Sequence, residues 1–310
     1  MMRSVMTMAW AALAVLALGH APAWAQARAM TAQERANLAL VDAWWREVLQ
    51  AGHVELAAKY MAEDYIQHNP TISTGRTSFV EVFGRRGAPR AIQPVLMPAP
   101  VLHYAKGDYV VFVWEREGKD QTGASYKYNT FDLVRVQNGK AQEHWDSAFR
   151  TKPMPGQPSP APVVAGVGPT PVKPRNTAEE QRNEDIANVE MHDILQYGHV
   201  ELASKVMAAD YIQHNPNVPG GRDGFVEFFS RIRKPEPIKA EWKDTPELIL
   251  TSGNLVLYMM ERYSADPVDS SKVYTWNWFD LFRVDDGLVQ EHWDTATKTP
   301  PPASVPRPAK

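Results

Sequence analysis

The chain carries the same domain-sized sequence twice, and this repeat limits its possible folds more than any other feature. Residues 52–57 (GHVELA) and residues 64–70 (DYIQHNP) both recur 146 residues later. Residues 142–146 (QEHWD) recur 148 residues later, so the second copy contains a two-residue insertion. Because solenoid repeats are only about 20 to 50 residues long, the repeat indicates a tandem duplication of a whole domain.

Each copy has the sequence pattern of a small α+β domain. A capping box, Thr31 to Glu34, opens a helix in the first copy, and Thr177 to Glu180 repeats it in the second. Two short helices follow, one before and one after residues 65–70. Antiparallel strands joined by short turns are predicted at residues 95–104, 109–116, 126–136 and 141–150. This order predicts an α+β fold in which helices cover one face of a curved sheet.

The remaining segments are assigned by composition. Arg3, an apolar run at about residues 6–18 and the small residues Ala23 and Ala25 have the pattern of a cleavable signal peptide. The alternative, a membrane anchor, needs roughly 20 apolar residues, and this run is shorter. We therefore expect a periplasmic or secreted protein that has no membrane contact after signal cleavage. The predicted boundaries are residues 1–25 for the signal peptide, 28–152 for domain 1, 153–176 for a proline-rich linker, 177–298 for domain 2 and 299–310 for a disordered tail.

The composition excludes several classes of function. The formal net charge of -3 provides no basic field for nucleic acid. The chain has no cysteine, which excludes thiol nucleophiles and cysteine metal sites. No glycine-rich loop indicates a bound nucleotide, and no other pattern indicates a cofactor. Chemistry in this chain must therefore use other side chains.

The QEHWD motif contains the first candidates for chemistry. Side chains alternate along a strand, so His144 and Asp146 share one face, and Glu143 and Trp145 share the other. If His144 and Asp146 face an apolar pocket, desolvation would raise the pKa of Asp146 and make it a general base near neutral pH. The alternative is a structural histidine beside a carboxylate that caps the exit of the strand. The second copy repeats the pair as His292 and Asp294.

The DYIQHNP motif contains the second set of candidates. Pro70 restricts Asn69 to extended conformations, which holds His68 and Asn69 in place. These two side chains could bind a carbonyl oxygen and stabilise an enolate, or they could belong only to a turn. His68, His144 and Asp146 would also make a two-histidine, one-carboxylate metal set if they converged. Because the spacing contains no helical metal-binding pair, we predict no metal.

A basic cluster follows the third predicted helix of each copy. Its members are Arg85, Arg86 and Arg90 in the first copy and Arg231, Arg233 and Lys234 in the second. These side chains could draw an acidic substrate to a pocket. The simpler interpretation is that they are cations at a helix C-terminus, where the helix dipole stabilises them.

The order of the helices, the DYIQHNP segment and the final strand ending in EHWD resemble the SnoaL-like polyketide cyclase family of the nuclear transport factor 2-like superfamily. The resemblance covers both domains almost from end to end. It implies a cone-shaped, curved antiparallel sheet with three helices that enclose a deep hydrophobic pocket, and cofactor-free aldol chemistry. It also implies that Asp146 and Asp294 are the acid/base aspartates, with the His-Asn pairs of the other motif facing the same pocket.

The candidate site residues fall into two groups. The catalytic candidates are Asp146, Asp294, His68, His214, His144 and His292. The substrate-binding candidates are Asn69, Asn215, Trp45, Tyr65, Tyr211, Asn129 and Asn277. No metal and no cofactor are expected.

Three functions remain open from the sequence. The leading hypothesis is an enzyme in which Asp146 and Asp294 remove a proton next to the carbonyl group of a small hydrophobic molecule, in an aldol-type condensation or an isomerisation. A carrier would use the same polar groups only to orient its ligand. An interaction module would need these groups neither for catalysis nor for ligand binding. Because domains of this superfamily often pair through their sheets, the two copies are expected to pack as a pseudo-dimer within one chain.

Overall fold

The computed structural model describes residues 29–153 and 163–307. The predicted signal peptide lies outside the described residues, as do residues 154–162 of the predicted linker and residues 308–310 of the predicted tail. Among the described residues, no helix combines the length and the apolar character needed to cross a bilayer. Export and localisation therefore stay predictions from the sequence.

The two domains contain the same elements in the same order. Domain 1 consists of α1 (Ala32–Trp44), a π-helical turn (Trp45–Gln50), a 3₁₀ turn (Val54–Leu56), α2 (Ala57–Tyr60), β1 (Met61–Gln67), α3 (Arg76–Gly84), β2 (Leu102–Lys106), β3 (Tyr109–Lys119), β4 (Ser125–Gln137) and β5 (Lys140–Asp146). Domain 2 consists of α4 (Ala178–Asn188), a π-helical turn (Val189–Ile194), a 3₁₀ turn (Val200–Leu202), α5 (Ala203–Val206), β6 (Met207–Gln213), α6 (Arg222–Ile232), β7 (Leu248–Ser252), β8 (Leu255–Ala265), β9 (Val273–Asp285) and β10 (Leu288–Asp294). Both predicted capping boxes are present, at the starts of α1 and α4.

Each domain forms one five-stranded sheet, with the strand orders β1-β5-β4-β3-β2 and β6-β10-β9-β8-β7. This confirms the predicted α+β fold, but the prediction of a fully antiparallel sheet is wrong. The sheets are mixed, because β1 runs parallel to β5, and β6 runs parallel to β10. The two edge strands were not predicted from the sequence, because the polar residues Gln67 and Gln213 end the apolar alternation at an inward-facing position. The strand predicted at residues 95–104 begins only at Leu102.

The helices pack on one face of each sheet and form the core of each domain. Phe79 of α3 and Phe112 of β3 belong to the core of domain 1, and Phe225 of α6 and Tyr258 of β8 belong to that of domain 2. Burial of each large apolar side chain contributes roughly 1.5 to 3 kcal/mol to stability. We call the face of each sheet that meets these helices the inner face.

The outer faces of the two sheets contribute to a third cluster of buried side chains. Phe131 of β4 stacks on Phe279 of β9, with 5.4 Å between the ring centroids and 4° between the ring planes. Leu133 and Leu281, which follow on the same faces, are both completely buried in this cluster. Water is therefore excluded from the outer face of each sheet at this point.

A buried ion pair joins elements from the two copies. The Lys106 Nζ atom, at the end of β2, lies 2.7 Å from both carboxylate oxygens of Glu180 in α4. The side chains are 5 % and 1 % exposed. Glu180 also accepts hydrogen bonds from the backbone N–H groups of Thr177 and Gly253. Its negative charge is therefore compensated by one ammonium group and two oriented amides.

The described parts of the linker and of the tail are held by hydrogen bonds. In the linker, Gly166 N–H donates to the Gln67 carbonyl, and Val172 N–H donates to the Tyr109 hydroxyl. In the tail, which was predicted to be disordered, Val305 N–H donates to the Tyr263 carbonyl of β8. The structure thus differs from the predicted tail over residues 299–307, because β8 is longer than its sheet partner β7 and leaves backbone groups available for pairing.

We expect Lys106→Met to destabilise the protein by about 3 kcal/mol, because it removes the ammonium group that faces the buried Glu180 carboxylate. The matched control is Lys127→Met. Lys127 forms an exposed ion pair with Glu115, with side chains 66 % and 43 % exposed, and its loss should cost under about 1 kcal/mol. The free energies of unfolding in urea measure both effects. Equal losses in the two variants would contradict the structural role of the Lys106–Glu180 pair.

Candidate functional site

A cluster of three polar side chains lies on the inner face of each sheet. In domain 2, Asp280 of β9 is directly opposite Asp294 of β10 in the strand register, and His292 precedes Asp294 by two residues on the same face. In domain 1, the cluster consists of Asp132, His144 and Asp146. Within each cluster, one ligand atom from each residue lies within 4.8 Å of the others. The strand alternation used in the sequence analysis therefore places each predicted His-x-Asp pair on the helix-covered face.

The hydrogen bonds of His292 indicate that the imidazole is protonated on both nitrogens. Nε2 lies 3.0 Å from Asp280 Oδ1, and Nδ1 lies 3.0 Å from Gln213 Oε1. The same Oε1 atom accepts the backbone N–H of Asn215, which fixes the orientation of the Gln213 amide. Both ring nitrogens thus face acceptors and must donate. Burial alone would lower the pKa of His292, but the hydrogen bond to Asp280 and the charges of Asp294 and Asp280 raise it.

Domain 1 repeats this arrangement. His144 Nε2 lies 2.9 Å from Asp132 Oδ1, and His144 Nδ1 lies 3.0 Å from Gln67 Oε1. The other oxygen of Asp132 accepts the indole N–H of Trp114 at 2.8 Å. Burial lowers the pKa of His144, and the interactions with Asp132 outweigh this effect and raise it. The histidine in both domains is therefore an imidazolium paired with a neighbouring aspartate.

Asp294 is the carboxylate in this arrangement that keeps basic character. Only 3 % of the residue is exposed. Its Oδ2 atom accepts the Asn215 side-chain amide at 2.6 Å, and its Oδ1 atom accepts the Ala296 backbone N–H at 2.9 Å. Burial, opposed by the charge of His292 and reinforced by that of Asp280, raises the pKa of Asp294 to about 6. The group is therefore mostly ionised at neutral pH, yet it is a stronger base than an exposed aspartate.

Asp146 has the equivalent contacts in domain 1. Its Oδ2 atom accepts the Asn69 side-chain amide at 2.6 Å, and its Oδ1 atom accepts the Ala148 backbone N–H at 3.0 Å. Burial raises the pKa of Asp146, and the negative charge of Asp132 acts in the same direction. Each side-chain amide gives one of its two N–H groups to the aspartate, and Asn215 lines a cavity of domain 2, so substrate binding by Asn69 and Asn215 stays a prediction.

A histidine nitrogen and two carboxylate oxygens that converge could hold a metal ion. In domain 2, however, Nε2 of His292 is at hydrogen-bond distance from Asp280, and Nδ1 faces an amide oxygen. A proton on each ring nitrogen of His292 explains both contacts as hydrogen bonds. The metal set considered from the sequence, His68 with His144 and Asp146, does not form, because His68 lies on the outer face of the sheet.

Domain 2 contains a cavity of about 410 Å³ that reaches its polar cluster. His292 and Asp294 line it together with apolar side chains such as Met191 and Phe225 and with charged side chains such as Arg262. A volume of this size is within the range of small-molecule sites, about 300 to 1,000 Å³. The cavity therefore brings a basic carboxylate into contact with space for a small, largely apolar molecule.

Domain 1 differs in this region. Trp45 stands where domain 2 has Met191, and it is only 8 % exposed. Its ring lies edge-on to His144 at 5.9 Å and stacks on Phe112 at 5.2 Å. A cavity of about 430 Å³ is present in domain 1 and is lined in part by Trp45, but none of the three cluster residues lines it. The predicted pocket residue Trp45 is thus at a cavity, but not at one that contains the aspartate.

Glu190 is a buried acid that domain 1 lacks, since Trp44 occupies the equivalent position. Its Oε1 atom accepts the Tyr211 hydroxyl at 2.8 Å, while Oε2 has no hydrogen-bond partner among the described residues. Burial, opposed by the charge of His292, raises the pKa of Glu190 to about 7. Tyr211 in turn accepts from the Gln213 amide at 3.5 Å, so hydrogen bonds connect Glu190 to the cluster.

His68 and His214 were predicted to face the pocket, and the structure places them on the outer face. His68 Nε2 lies 2.8 Å from Glu143 Oε1, and its ring stacks on Trp145 at 4.8 Å. His214 has the same contacts with Glu291 and Trp293. The residues before each histidine form a strand, in which successive side chains point to opposite faces. The glutamine before each histidine and the asparagine after it therefore point inward, and the histidine points outward.

Asn129 and Asn277 were also predicted to bind substrate, and they too lie on the outer face. The Asn129 side-chain amide donates to the His214 carbonyl at 3.5 Å, and that of Asn277 donates to the Asp146 carbonyl at 3.4 Å. Each asparagine therefore contacts the other domain. Both are two positions before Phe131 or Phe279, with which they share a strand face.

Tyr65 and Tyr211 are buried beneath the clusters and do not line the domain 2 cavity. Four residues that hold the histidines were not predicted from the sequence, namely Gln67, Gln213, Asp132 and Asp280. The sequence does mark the two aspartates as unusual, because each interrupts an apolar strand in the repeated sequence Phe-Asp-Leu. Glu190 has no such signal, because the equivalent residue in the other copy is a tryptophan.

Comparison with known proteins shows a match to the SnoaL-like domain model over residues 41–144 and again over residues 189–292. No curated protein sequence matches the chain.

Solved structures with similar folds include two nuclear transport factor 2-like proteins of unknown function. One, from Mesorhizobium loti, is 18 % identical, with a TM-score of 0.28, and the match covers 38 % of this chain and 93 % of that protein. The other, from Burkholderia pseudomallei, is 18 % identical, with a TM-score of 0.26 and coverages of 36 % and 88 %. The protein TsrD from Streptomyces laurentii is 18 % identical, with a TM-score of 0.25 and coverages of 39 % and 89 %.

We expect Glu190→Gln to make the protein more stable than wild type at pH 8 and about equally stable at pH 4. The pKa of Glu190 is raised from 4.5 to about 7, so the wild-type fold loses up to about 3 kcal/mol as the pH rises between these values. Glutamine carries no charge to bury and can still accept from Tyr211. Urea unfolding at both pH values measures the difference, with the exposed Glu81→Gln as control. A stability difference that does not change with pH would contradict the prediction.

Proposed function

The chain belongs to the SnoaL-like domain family, and from this premise we propose that domain 2 is an acid/base catalyst that removes a proton from the carbon next to a carbonyl group. The observation that carries the proposal is the position of Asp294, a buried carboxylate of raised pKa that lines a cavity with both apolar and charged walls. The substrate class is a small, largely apolar carbonyl compound, and the reaction is an aldol-type condensation or an isomerisation.

Asp294 is the base in this mechanism. The Asn215 amide and the Ala296 N–H hold its two oxygens in place. The carboxylate accepts the proton of the substrate C–H bond, and the electron pair of that bond moves into an enolate whose charge lies mainly on oxygen. Protonated Asp294 then returns the proton to a different carbon in an isomerisation. In a condensation, the enolate carbon forms a bond to a second carbonyl carbon, and the new alkoxide takes up the proton.

His292 assists through its positive charge and not by donating to the substrate. Both of its N–H groups are already used, by Asp280 and by Gln213. A fixed imidazolium in a water-poor cavity lowers the energy of an enolate that forms nearby, and no reorganisation is needed when the charge develops. Asp280 and Gln213 are therefore positioning residues, which keep the imidazole charged and oriented.

Domain 1 is proposed to support domain 2 rather than to perform turnover. It retains the Asp-His-Asp cluster, but Trp45 packs against His144 and the cavity of this domain does not include the cluster. We propose that the two domains form a pseudo-dimer within one chain. The Phe131–Phe279 stack and the Lys106–Glu180 pair support this proposal.

The two aspartates provide a matched test. Asp294→Asn should lower turnover by roughly 10²- to 10⁴-fold, the usual contribution of a general base, whereas Asp146→Asn should leave turnover near that of wild type. Native mass spectrometry of residues 26–310 identifies any co-purified small molecule. Incubation in D₂O then shows whether the compound gains deuterium next to its carbonyl group.

The outcomes separate catalysis from transport. Deuterium uptake with wild type and Asp146→Asn, but not with Asp294→Asn, supports the enzyme. A ligand that is retained unchanged by all three proteins would instead identify a carrier. An equal loss of deuterium uptake in Asp146→Asn and Asp294→Asn would contradict the assignment of turnover to domain 2.

The rate of deuterium uptake should also depend on pH in a defined direction. Because the pKa of Asp294 is raised to about 6, the fraction of active base increases about tenfold per unit below that value and levels off above it. Initial rates between pH 4.5 and 8 measure the profile. A rate that falls as the pH rises through 6 would show that the active form of the site is the acid.

A further inference from the structure

We propose that the cavity of domain 1 is a second binding site, selective for a small organic carboxylate with a flat apolar body. This cavity of about 430 Å³ is lined by Arg46, Arg90 and Arg116 and by the indoles of Trp45 and Trp114, and no acidic residue lines it. It is separate from the cavity of domain 2, and the inference does not depend on the proposed catalysis.

The three arginines are held in place but keep free donors. Arg46 Nη1 donates to the carbonyls of Gln93 and Pro94, at 3.3 and 3.2 Å. Arg90 Nη2 donates to the Gln50 carbonyl at 2.6 Å. In each guanidinium the remaining N–H groups have no partner in the described part of the chain. A guanidinium is a planar fork that matches a carboxylate, so these free groups suit bidentate binding of that anion.

Arg116 connects the cationic side of the cavity to the aromatic side. Its Nε atom donates to Thr130 Oγ1 at 3.2 Å, and its guanidinium lies 5.3 Å from the ring of Trp114. Trp45 and Met97 add further apolar surface to the same cavity. A ligand with a carboxylate at one end and a flat ring at the other would therefore satisfy both sides.

The charge of the three arginines is only weakly compensated within the described part of the chain. In the described residues, none of them forms an ion pair with a carboxylate. Glu47, the sequence neighbour of Arg46, forms its close contacts with Lys59 and Tyr60, and its carboxylate is attracted to Arg46 only at longer range. The cavity therefore carries a net positive charge, which a bound anion would neutralise.

The other copy has different charges at the positions equivalent to this cavity. The positions of Arg46, Arg90 and Pro98 correspond in domain 2 to His192, Glu236 and Asp244. Arg262, the equivalent of Arg116, forms an ion pair with Asp244. The basic residue of domain 2 thus has a partner within the protein, whereas domain 1 has proline at the position of that partner. The equivalent arginine therefore forms an ion pair in domain 2 but not, among the described residues, in domain 1.

The basic cluster seen in the sequence contributes only one residue to this site. Arg85 ends α3 and Arg86 lies over the ring of Phe83, so both belong to the end of that helix, as the simpler interpretation predicts. Arg90 alone lines the cavity. Arg46 and Arg116 come from distant parts of the chain, which explains why the sequence did not indicate the complete site.

The test uses 2-naphthoate and its neutral isostere 2-naphthamide as probes, titrated calorimetrically onto the full mature chain. We expect saturable binding of one naphthoate per chain and at least tenfold weaker binding of the amide. Arg116→Gln should weaken naphthoate binding at least tenfold. The matched control, Arg262→Gln in domain 2, should leave it unchanged.

Two further comparisons keep the proposal open to refutation. Asp294→Asn removes the proposed base in domain 2 and should not alter naphthoate binding, so a failure of the catalytic proposal is distinguishable from a failure of this one. The naphthoate–naphthamide comparison needs only wild-type protein, so it stands even if a variant does not fold. No binding of naphthoate at millimolar concentration, equal binding of the amide, or loss of binding in Arg262→Gln would overturn the proposal.

Discussion

The pairing of a buried imidazolium with an aspartate on the neighbouring strand is the interaction on which each candidate site depends. A buried charge is stable only when it is paired and hydrogen-bonded, and Asp280 and Gln213 meet both conditions for His292. The same glutamine accepts the backbone N–H of Asn215, whose side chain then reaches Asp294. One set of hydrogen bonds thereby positions the base and keeps a positive charge beside it.

The two domains share the polar cluster but differ in the side chains that surround it. The Asp-His-Asp cluster and the glutamine that orients it are present in both domains. The side chains above the cluster are not: Trp45 packs on His144 in domain 1, whereas the smaller Met191 leaves room for a cavity in domain 2. The side chain at this position is therefore one of the differences that accompany the access of the cavity to the aspartate in domain 2. The arginines of the domain 1 cavity, which have no equivalent set in domain 2, are the second difference.

Several parts of the fold could be predicted from local patterns. The repeat, both capping boxes and the α+β class follow from short-range sequence signals, as does the shared face of His292 and Asp294 in the final strand. The missed edge strand β1 explains most of the errors in the site. Once Gln67 is an inward strand residue, His68 must point outward, against Trp145, and the predicted pair of His68 and Asn69 is divided between two faces.

The sequence alone determined that the chain contains two α+β domains, and that each ends in a strand whose histidine and aspartate share a face, because capping, alternation and repetition act over a few residues. Only the tertiary structure decided which face the helices cover and which aspartate lines a cavity. It also brought Asp280 to His292 and three separate arginines to one wall. Such contacts depend on the register between strands and on side-chain volumes across the core, which link positions far apart in the chain.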